Sequence, residues 1–280
     1  MATVAQLLAM RQQLTAISDT AAVDVELLLC HCLQKPRSYL RTWPEAEVAD
    51  TQQQQFQQLL QRRQQGEPVA HLIGERGFWT LDLQVNPSTL IPRPETELLV
   101  EKILQLFAAD TTTELLDLGT GTGAIALSIA SERPQWKIAA CDIQPAAVAL
   151  AETNRQCTGL ENVCIFQSNW FDQVQVRQFN VIVSNPPYID VNDENLNVGD
   201  VRFEPLSALV ADNKGLADLE MIIQQAPDYL ARDGWLLVEH GYQQGPAVSN
   251  LLLSRGFTEV FTDQDLAGHD RISGGQWWRG

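Results

Sequence analysis

The sequence predicts an α/β domain with a mostly parallel sheet, preceded by a small helical bundle. Apolar residues recur at helical spacing through residues 1–75. From Glu114 onward, short apolar runs alternate with longer amphipathic stretches, which is typical of strands and helices that follow one another along a chain. This alternation predicts a parallel sheet that helices cover on both faces. A chain of 280 residues is long enough for two domains that each bury a core.

Changes of pattern set the expected domain boundaries. The helical domain is expected at residues 1–75, has no catalytic signature and suits the binding of a partner. It includes a Gln-rich helix from about Ala46 to Gln65, where interleaved apolar residues favour a solvated helix face over a prion-like tract. Apolar and polar residues alternate in the region 76–94, with Pro and Asn around them, and this pattern predicts a hairpin or an extended linker. The α/β domain occupies 95–280, with seven strands at Leu115–Leu118, Lys137–Cys141, Val163–Gln167, Phe179–Ser184, Gly234–Glu239, Phe257–Thr262 and Arg271–Trp278.

Composition restricts the classes of partner. A formal net charge of −16 disfavours non-specific binding to nucleic acid and attachment to anionic lipid. The first residues lack the features of a signal peptide, and no apolar run reaches the roughly 18 residues of a membrane span. The five cysteines are odd in number and lack CxxC spacing, so we expect reduced thiols in a cytoplasmic protein. No metal site is expected, because helical spacing would separate His31 from Cys30 and Cys32.

A glycine-rich loop follows the first expected strand, in the run Asp117-Leu118-Gly119-Thr120-Gly121-Thr122-Gly123. Glycines let the backbone turn tightly and approach a ligand, and the helix that follows adds its amino end. The next strand ends at Asp142, nineteen residues after Gly123, where a carboxylate can accept both hydroxyls of a ribose. We therefore predict that a nucleoside-bearing cofactor binds at Gly119, Thr120, Gly121, Thr122, Gly123 and Asp142.

The spacing of the glycines selects among such cofactors. Nicotinamide-binding folds prefer G-x-G-x-x-G, whereas this chain has an acid two residues before G-x-G-x-G, the pattern of Rossmann-like class I methyltransferases that bind S-adenosylmethionine. The sulfonium and amino-acid tail of that cofactor suit a loop with acidic neighbours. Trp170 follows the third strand, where it offers an apolar face to the adenine. A core tryptophan is the alternative interpretation of Trp170.

Asn185-Pro186-Pro187-Tyr188 directly follows the fourth expected strand. Neither proline can donate a ladder hydrogen bond, and each restricts its own φ and the residue before it. An amide and an aromatic ring are thus held at the carboxyl end of a strand, where ligands bind in α/β sheets. There they can hold a planar NH2 group of a substrate, although the four residues alone also fit an ordinary turn. Arg93, between two prolines, is an oriented cation that suits either a structural role or the site.

Several motifs together resemble the HemK/PrmC protein-glutamine N5-methyltransferases, over nearly the whole chain. The resemblance implies S-adenosylmethionine as the cofactor and the Gly-Gly-Gln glutamine of peptide chain release factors as the substrate. It also implies cofactor binding by Gly119 to Gly123, Asp142, Trp170 and Asn185, substrate binding by Asn185, Pro186, Pro187 and Tyr188, and catalysis by Asn185, Pro186 and Tyr188. The motifs are the glycine loop, Ser184-Asn185-Pro186-Pro187-Tyr188-Ile189, Glu239-His240-Gly241, Ile91-Pro92-Arg93-Pro94-Glu95-Thr96-Glu97 and Gly199-Asp200-Val201-Arg202-Phe203-Glu204-Pro205-Leu206.

One departure and two alternatives accompany the resemblance. The family commonly has an acid before the tryptophan, whereas this chain has Asn169, whose side-chain oxygen still accepts a hydrogen bond but carries no charge. A nucleic-acid N-methyltransferase with the same Asn-Pro-Pro-Tyr site is the main alternative, and the acidic charge argues against it. A cofactor-binding regulator without catalysis is the other. We expect a monomer, and we interpret Gly274-Gly275-Gln276 in the last strand as a coincidental match to the substrate motif.

Overall fold

The computed structural model describes residues 2–175 and 178–278, and it divides the chain into two units. One unit consists of Met1–Glu75 and Glu194–Phe203, and the other of Arg76–Asp193 and Glu204–Gly280. The sequence analysis expected 194–203 within the α/β domain, whereas this division groups the segment with the helices. The physical reason is polar contact: Arg63 pairs with Asp200 at 2.9 Å, and Arg202 donates to the Gln65 carbonyl at 3.1 Å.

The first unit is helical. Its core contains Leu28, Leu29 and Phe56, none of which is exposed. The Gln-rich helix buries Phe56, Leu59, Leu60 and Arg63 and leaves most of its glutamines exposed, which confirms the prediction of an amphipathic helix with a solvated face. The helices are α1 (Val4–Leu8), α2 (Ala21–Leu33), α3 (Arg37–Thr42), α4 (Asp50–Gln64) and α5 (Val69–Ile73).

The second unit starts within a two-stranded hairpin, one of the two forms expected for 76–94, whose strands are β1 (Glu75–Phe78) and β2 (Leu81–Gln84). A 3-10 turn at Pro94–Thr96 then leads into α6 (Glu97–Leu106). The strands of the main sheet are β3 (Glu114–Leu118), β4 (Lys137–Asp142), β5 (Val163–Gln167), β6 (Phe179–Ser184), β7 (Leu230–Glu239), β8 (Thr258–Gln264) and β9 (Asp270–Trp277). The helices between them are α7 (Ala124–Glu132), α8 (Pro145–Thr158), the one-turn α9 (Asp212–Gly215), α10 (Ala217–Gln225) and α11 (Gly245–Arg255).

The main sheet has seven strands in the order β5-β4-β3-β6-β7-β9-β8. The neighbours from β5 to β7 pair in parallel, while β9 pairs antiparallel with both β7 and β8. Alternate strand residues contribute to two separate cores, with Leu115 and Val181 in one and Leu116 and Ile182 in the other. Helices cover both faces, and the prediction of a seven-stranded, mostly parallel α/β sheet is confirmed.

The region between α10 and β7 differs from its prediction. A strand was expected only from Gly234, whereas β7 begins at Leu230, soon after α10 ends at Gln225. Pro227 lies in a 3-10 turn after α10, where it interrupts the helical hydrogen bonds. The pair Asp233-Gly234 lies inside β7, at a register shift against β6, although it suggests a turn.

The tripeptide Gly274-Gly275-Gln276 lies within β9. A Cβ on Gly274 would lie 2.8 Å from the carbonyl oxygen of Leu236, so close strand packing requires glycine there. Gln276 donates its side-chain amide to the carbonyl of Asp233 at 3.0 Å. These contacts give Gly274 and Gln276 structural roles in the sheet.

Across the described residues, no helix combines the length and apolar character that a membrane crossing requires. The cysteines are all unpaired, and Cys157 and Cys164 are exposed. The described part of the chain contains no group of three or more His, Cys, Asp or Glu side chains arranged to hold a metal ion.

Candidate functional site

A cavity of the α/β unit opens where β3, β4 and β6 end. Since these strands are parallel neighbours, their carboxyl ends bring together the loops that follow them. Among the residues predicted to bind cofactor or substrate, those that line the cavity are Gly119, Thr120, Gly121, Thr122, Asp142, Trp170, Asn185 and Pro187. Gly123, Pro186 and Tyr188 are not part of its lining.

The glycine loop has the backbone conformation that its sequence predicts. Gly119, Gly121 and Gly123 all have positive φ, where a side chain would be strained. Gly119 also faces the indole of Trp170, because a Cβ there would lie 3.3 Å from the ring. Gly123 precedes α7, and its Cβ would lie 2.9 Å from Leu127, so this glycine serves the packing of the helix.

Two carboxyl groups hold the loop in place. Asp117 is fully buried and accepts hydrogen bonds from the Thr120 hydroxyl at 2.6 Å and the Ala126 amide at 3.3 Å. Burial raises the pKa of Asp117 to about 7, and the negative charge of Asp142 adds to the rise. Asp142 accepts from the Gly121 amide at 3.0 Å. Each of its oxygens has a second lone pair, which can accept a ligand hydroxyl.

Trp170 lies at the cavity. Its backbone has a φ of +48°, and its carbonyl accepts from the Ser168 hydroxyl at 2.7 Å. The indole is partly buried: it lines the cavity and also packs against one of the two cores of the sheet, so the site interpretation and the core interpretation both describe it. Asn169 is exposed, is not among the lining residues and donates its side-chain amide to Asp172 at 3.3 Å.

Asn185 and Tyr188 are both connected to one buried carboxyl group, that of Glu239. The Asn185 amide donates from Nδ2 to the Thr96 hydroxyl at 3.1 Å, and that hydroxyl donates to Glu239 Oε2 at 2.7 Å. The Tyr188 hydroxyl donates to Glu239 Oε1 at 3.1 Å. Glu239 is 1% exposed, and this burial raises its pKa. Thr96 and Glu239 had no predicted role, although both lie in motifs that carry the family resemblance.

The backbone of Tyr188 has its own support. The Gln244 side chain donates to the carbonyl oxygens of Tyr188 at 3.0 Å and Lys214 at 3.2 Å, and it accepts from the Gly241 amide at 2.8 Å. Gly215 has a φ of +80° and lies so close that a Cβ would be 2.0 Å from the Tyr188 carbonyl oxygen. The conformation of the loop therefore depends on residues outside it as well as on its prolines.

The linker before α6 provides a further wall of the cavity, including Ser88, Thr89, Pro92 and Arg93. Arg93 lines the cavity and also pairs with the buried Glu204 at 2.5 Å. Both roles suggested by its sequence, a structural one and one at the site, are therefore compatible with its position. Thr89 is 2% exposed, and its hydroxyl has no hydrogen-bond partner among the described residues. A ligand in the cavity can supply that partner. Nothing in the sequence pattern marks Thr89.

Comparisons with known proteins cover both units. Residues 6–74 match the family model of the PrmC N-terminal domain, and residues 94–205 match that of the methyltransferase small domain. The chain is 55% identical over 260 residues to a release factor glutamine methyltransferase of Pseudomonas aeruginosa, across 93% of this chain and 94% of that protein. It is 47% identical over 262 residues to the Escherichia coli protein of the same name, across 94% of each chain.

Solved structures show the same fold at low sequence identity. A methyltransferase from Pyrococcus furiosus has a TM-score of 0.54 and 18% identity, across 71% of this chain and 90% of that one. The 16S rRNA N2 G1207 methyltransferase of T. thermophilus also has a TM-score of 0.54, with 16% identity, across 73% of this chain and 50% of that one. Likeness at this level shows the architecture of the α/β unit.

Proposed function

This chain belongs to the family of release factor glutamine methyltransferases, and from that premise we propose that it methylates a glutamine side chain of release factors. The methyl donor is S-adenosylmethionine, and the acceptor is the amide nitrogen of the glutamine in the Gly-Gly-Gln motif. The observation that carries the proposal is the likeness to relatives of that name across both units. The cavity supports it, because the glycine loop and Asn185 line the same space.

The residues of the cavity fit S-adenosylmethionine. When bound, this cofactor supplies an electrophilic methyl group on a sulfonium. Asp142 has lone pairs free for the ribose hydroxyls, Trp170 offers an apolar face for the adenine, and Gly119 to Thr122 bring backbone groups close to the ligand. The unpartnered hydroxyl of Thr89 adds a buried group that needs a hydrogen bond. Gly123 supports the loop by its packing on α7, and Asn169 has no part in the proposed binding.

The proposed mechanism depends on orientation. An amide nitrogen is a poor nucleophile because its lone pair is delocalised into the carbonyl. Asn185 Oδ1 and the Pro186 carbonyl each accept one N–H of the substrate amide, which fixes the nitrogen and increases its electron density. Pro187 keeps the loop rigid, and the Tyr188 ring packs against the amide plane. Most of the acceleration then comes from positioning and electrostatics, and the proton leaves late, to water.

The first prediction concerns Asn185→Ala. We expect the dissociation constant for S-adenosylmethionine to stay within about tenfold of the wild type, or about 1.4 kcal/mol. Methyl transfer should be abolished, because the acceptor for the substrate N–H is gone. Calorimetry of cofactor binding and a transfer assay on the same preparation check both parts. Full activity of this variant would rule out the proposed mechanism.

The function itself is tested with labelled S-adenosylmethionine and two acceptors, a release factor and DNA. We expect label on the release factor, and mass spectrometry should locate the methyl group on the Gly-Gly-Gln glutamine. A release factor with that glutamine changed to alanine is the matched control and should stay unlabelled. Label on DNA would instead support the nucleic-acid methyltransferase, and no label on either would support a cofactor-binding regulator.

We also propose where and with what partner the protein acts. Its unpaired cysteines suit the reducing cytoplasm, in which release factors work. The helical unit, whose sequence carries no catalytic signature, is the proposed contact for the release factor. The protein is proposed to act as a monomer.

A further inference from the structure

We propose that Glu239 and Thr96 are positioning residues that turn the oxygen of the Asn185 amide towards the substrate. The inference rests on the proposed function for its kinetic consequence, but its structural part stands on the hydrogen bonds alone. The inference depends on a hydrogen-bond network that runs from Asn185 Nδ2 to Thr96 Oγ1 and on to Glu239 Oε2. The Tyr188 hydroxyl bonds to the other carboxylate oxygen of Glu239.

When Glu239 is ionised, the hydrogen atoms of this hydrogen-bond network can be arranged in only one way. An ionised Glu239 only accepts hydrogen bonds, so the single hydrogen of the Thr96 hydroxyl goes to it, over 2.7 Å. The Thr96 oxygen is then an acceptor towards Asn185, 3.1 Å away. The amide must present its NH2 group there, because the reverse orientation would place two acceptors against each other. The Asn185 oxygen is left for another partner.

This orientation is the one that the proposed reaction needs. The terminal torsion of an asparagine has two comparable settings, and neighbouring prolines restrict the backbone without selecting between them. Asn185 follows β6 and Glu239 ends β7, and these strands are parallel neighbours, so the sheet itself brings the two groups together. The second oxygen of the same carboxylate holds Tyr188, which fixes both polar side chains of the loop at once.

Three substitutions separate positioning from simple packing. Thr96→Val keeps the shape and removes the hydroxyl, Thr96→Ser keeps the hydroxyl, and Glu239→Gln keeps the shape but can donate to Thr96. We expect kcat for release-factor methylation to fall at least tenfold in Thr96→Val and Glu239→Gln. Thr96→Ser should recover most of that loss, which a purely steric role for the threonine methyl group would not produce. Thr113→Val, at a buried threonine outside the cavity, is the matched control and should keep its activity.

A direct measurement of the amide orientation makes the inference independent of the substrate. In protein with labelled asparagine, nuclear Overhauser contacts should join the Asn185 NH2 hydrogens to Thr96 in the wild type and weaken in Glu239→Gln. The same contacts in both proteins, or a kcat in Thr96→Val equal to that of the wild type, would overturn the inference. If the wild type methylates no release factor, the proposed function fails, and the amide measurement still decides the positioning role.

Discussion

Tyr188 is held by contacts that its neighbouring prolines do not provide. The prolines restrict φ before it, whereas its carbonyl is fixed by Gln244 and by the close approach of Gly215. At Gly215 two constraints coincide, a φ of +80° and a Cβ position that would overlap the Tyr188 oxygen. A single methyl group at this position would therefore displace the substrate loop.

Gly215→Ala should reduce methyl transfer at least tenfold and lower the free energy of unfolding. Gly159→Ala is the matched control, because Gly159 also has positive φ, +67°, but a Cβ there has no neighbour within 4 Å. It should cost only the left-handed backbone penalty, about 1–2 kcal/mol, and leave the activity unchanged. Urea denaturation and the transfer assay measure the two effects. Equal activity in both variants would contradict the role given to Gly215.

Asp117 should make the stability of the cofactor-free protein depend on pH. In the unfolded chain this carboxyl loses its proton near about pH 4. In the folded protein burial raises its pKa to about 7, so the native state binds more protons in between. The contribution of Asp117 to the free energy of unfolding therefore falls as the pH rises from about 4 to about 7.

Asp117→Asn removes that contribution, so the stability of the variant relative to the wild type should increase over the same range. Denaturation curves at several pH values check this, with Asp110→Asn at an exposed position as the control. Parallel pH profiles of the Asp117→Asn variant and the wild type would show that the buried carboxyl does not titrate in this range.

Helix α4 contains two adjacent arginines with different energetic roles. Arg63 is 6% exposed and pairs with Asp24 at 2.8 Å as well as with Asp200. Arg62 pairs with Glu67 on the surface, where its side chain is 51% exposed. The buried arginine thus joins α2, α4 and the segment 194–203 within the helical unit, while its neighbour faces solvent.

Arg63→Met should destabilise the helical unit by about 3–5 kcal/mol, because the buried carboxylate of Asp24 is left without its charged partner. Arg62→Met, the control one residue away, should cost no more than about 1 kcal/mol, as exposed ion pairs do. Chemical denaturation followed by circular dichroism measures both. In addition, a protease should cut segment 194–203 faster in Arg63→Met only. Equal stability of the two variants would refute the role of the buried network.

At the scale of the molecule, local sequence patterns predicted the helices and strands, whereas long-range contacts determine the strand order and the division into units. The parallel strands β3, β4, β5, β6 and β7 contain short apolar runs, and the antiparallel β8 and β9 contain enough apolar residues to be predicted as well. The glycine loop was predicted from its own residues. The placement of β9 between β7 and β8 depends on pairing that no local pattern encodes. The grouping of 194–203 with the helices rests on a contact between residues 137 positions apart.

The same distinction separates the site residues that were predicted from those that were not. Gly119 to Thr122, Asp142 and Asn185 lie beside strand ends, where sequence order alone brings them to one edge. Thr96 meets Asn185 across 89 positions and Glu239 meets Tyr188 across 51, so their contacts exist only in the folded sheet. Thr96 and Glu239 could have been noticed because they lie in motifs of the family resemblance, but the motifs alone do not say what these two side chains contact.

The position of Gly274-Gly275-Gln276 within β9 affects whether the enzyme could use its own chain as a substrate. The chain contains the three residues of the proposed substrate motif within β9, which pairs with β7 and β8; its two glycines are buried and Gln276 is half-buried. Because β9 is paired on both edges and the Gln276 side-chain amide is bonded to Asp233, the folded chain does not offer this glutamine to another copy of the enzyme.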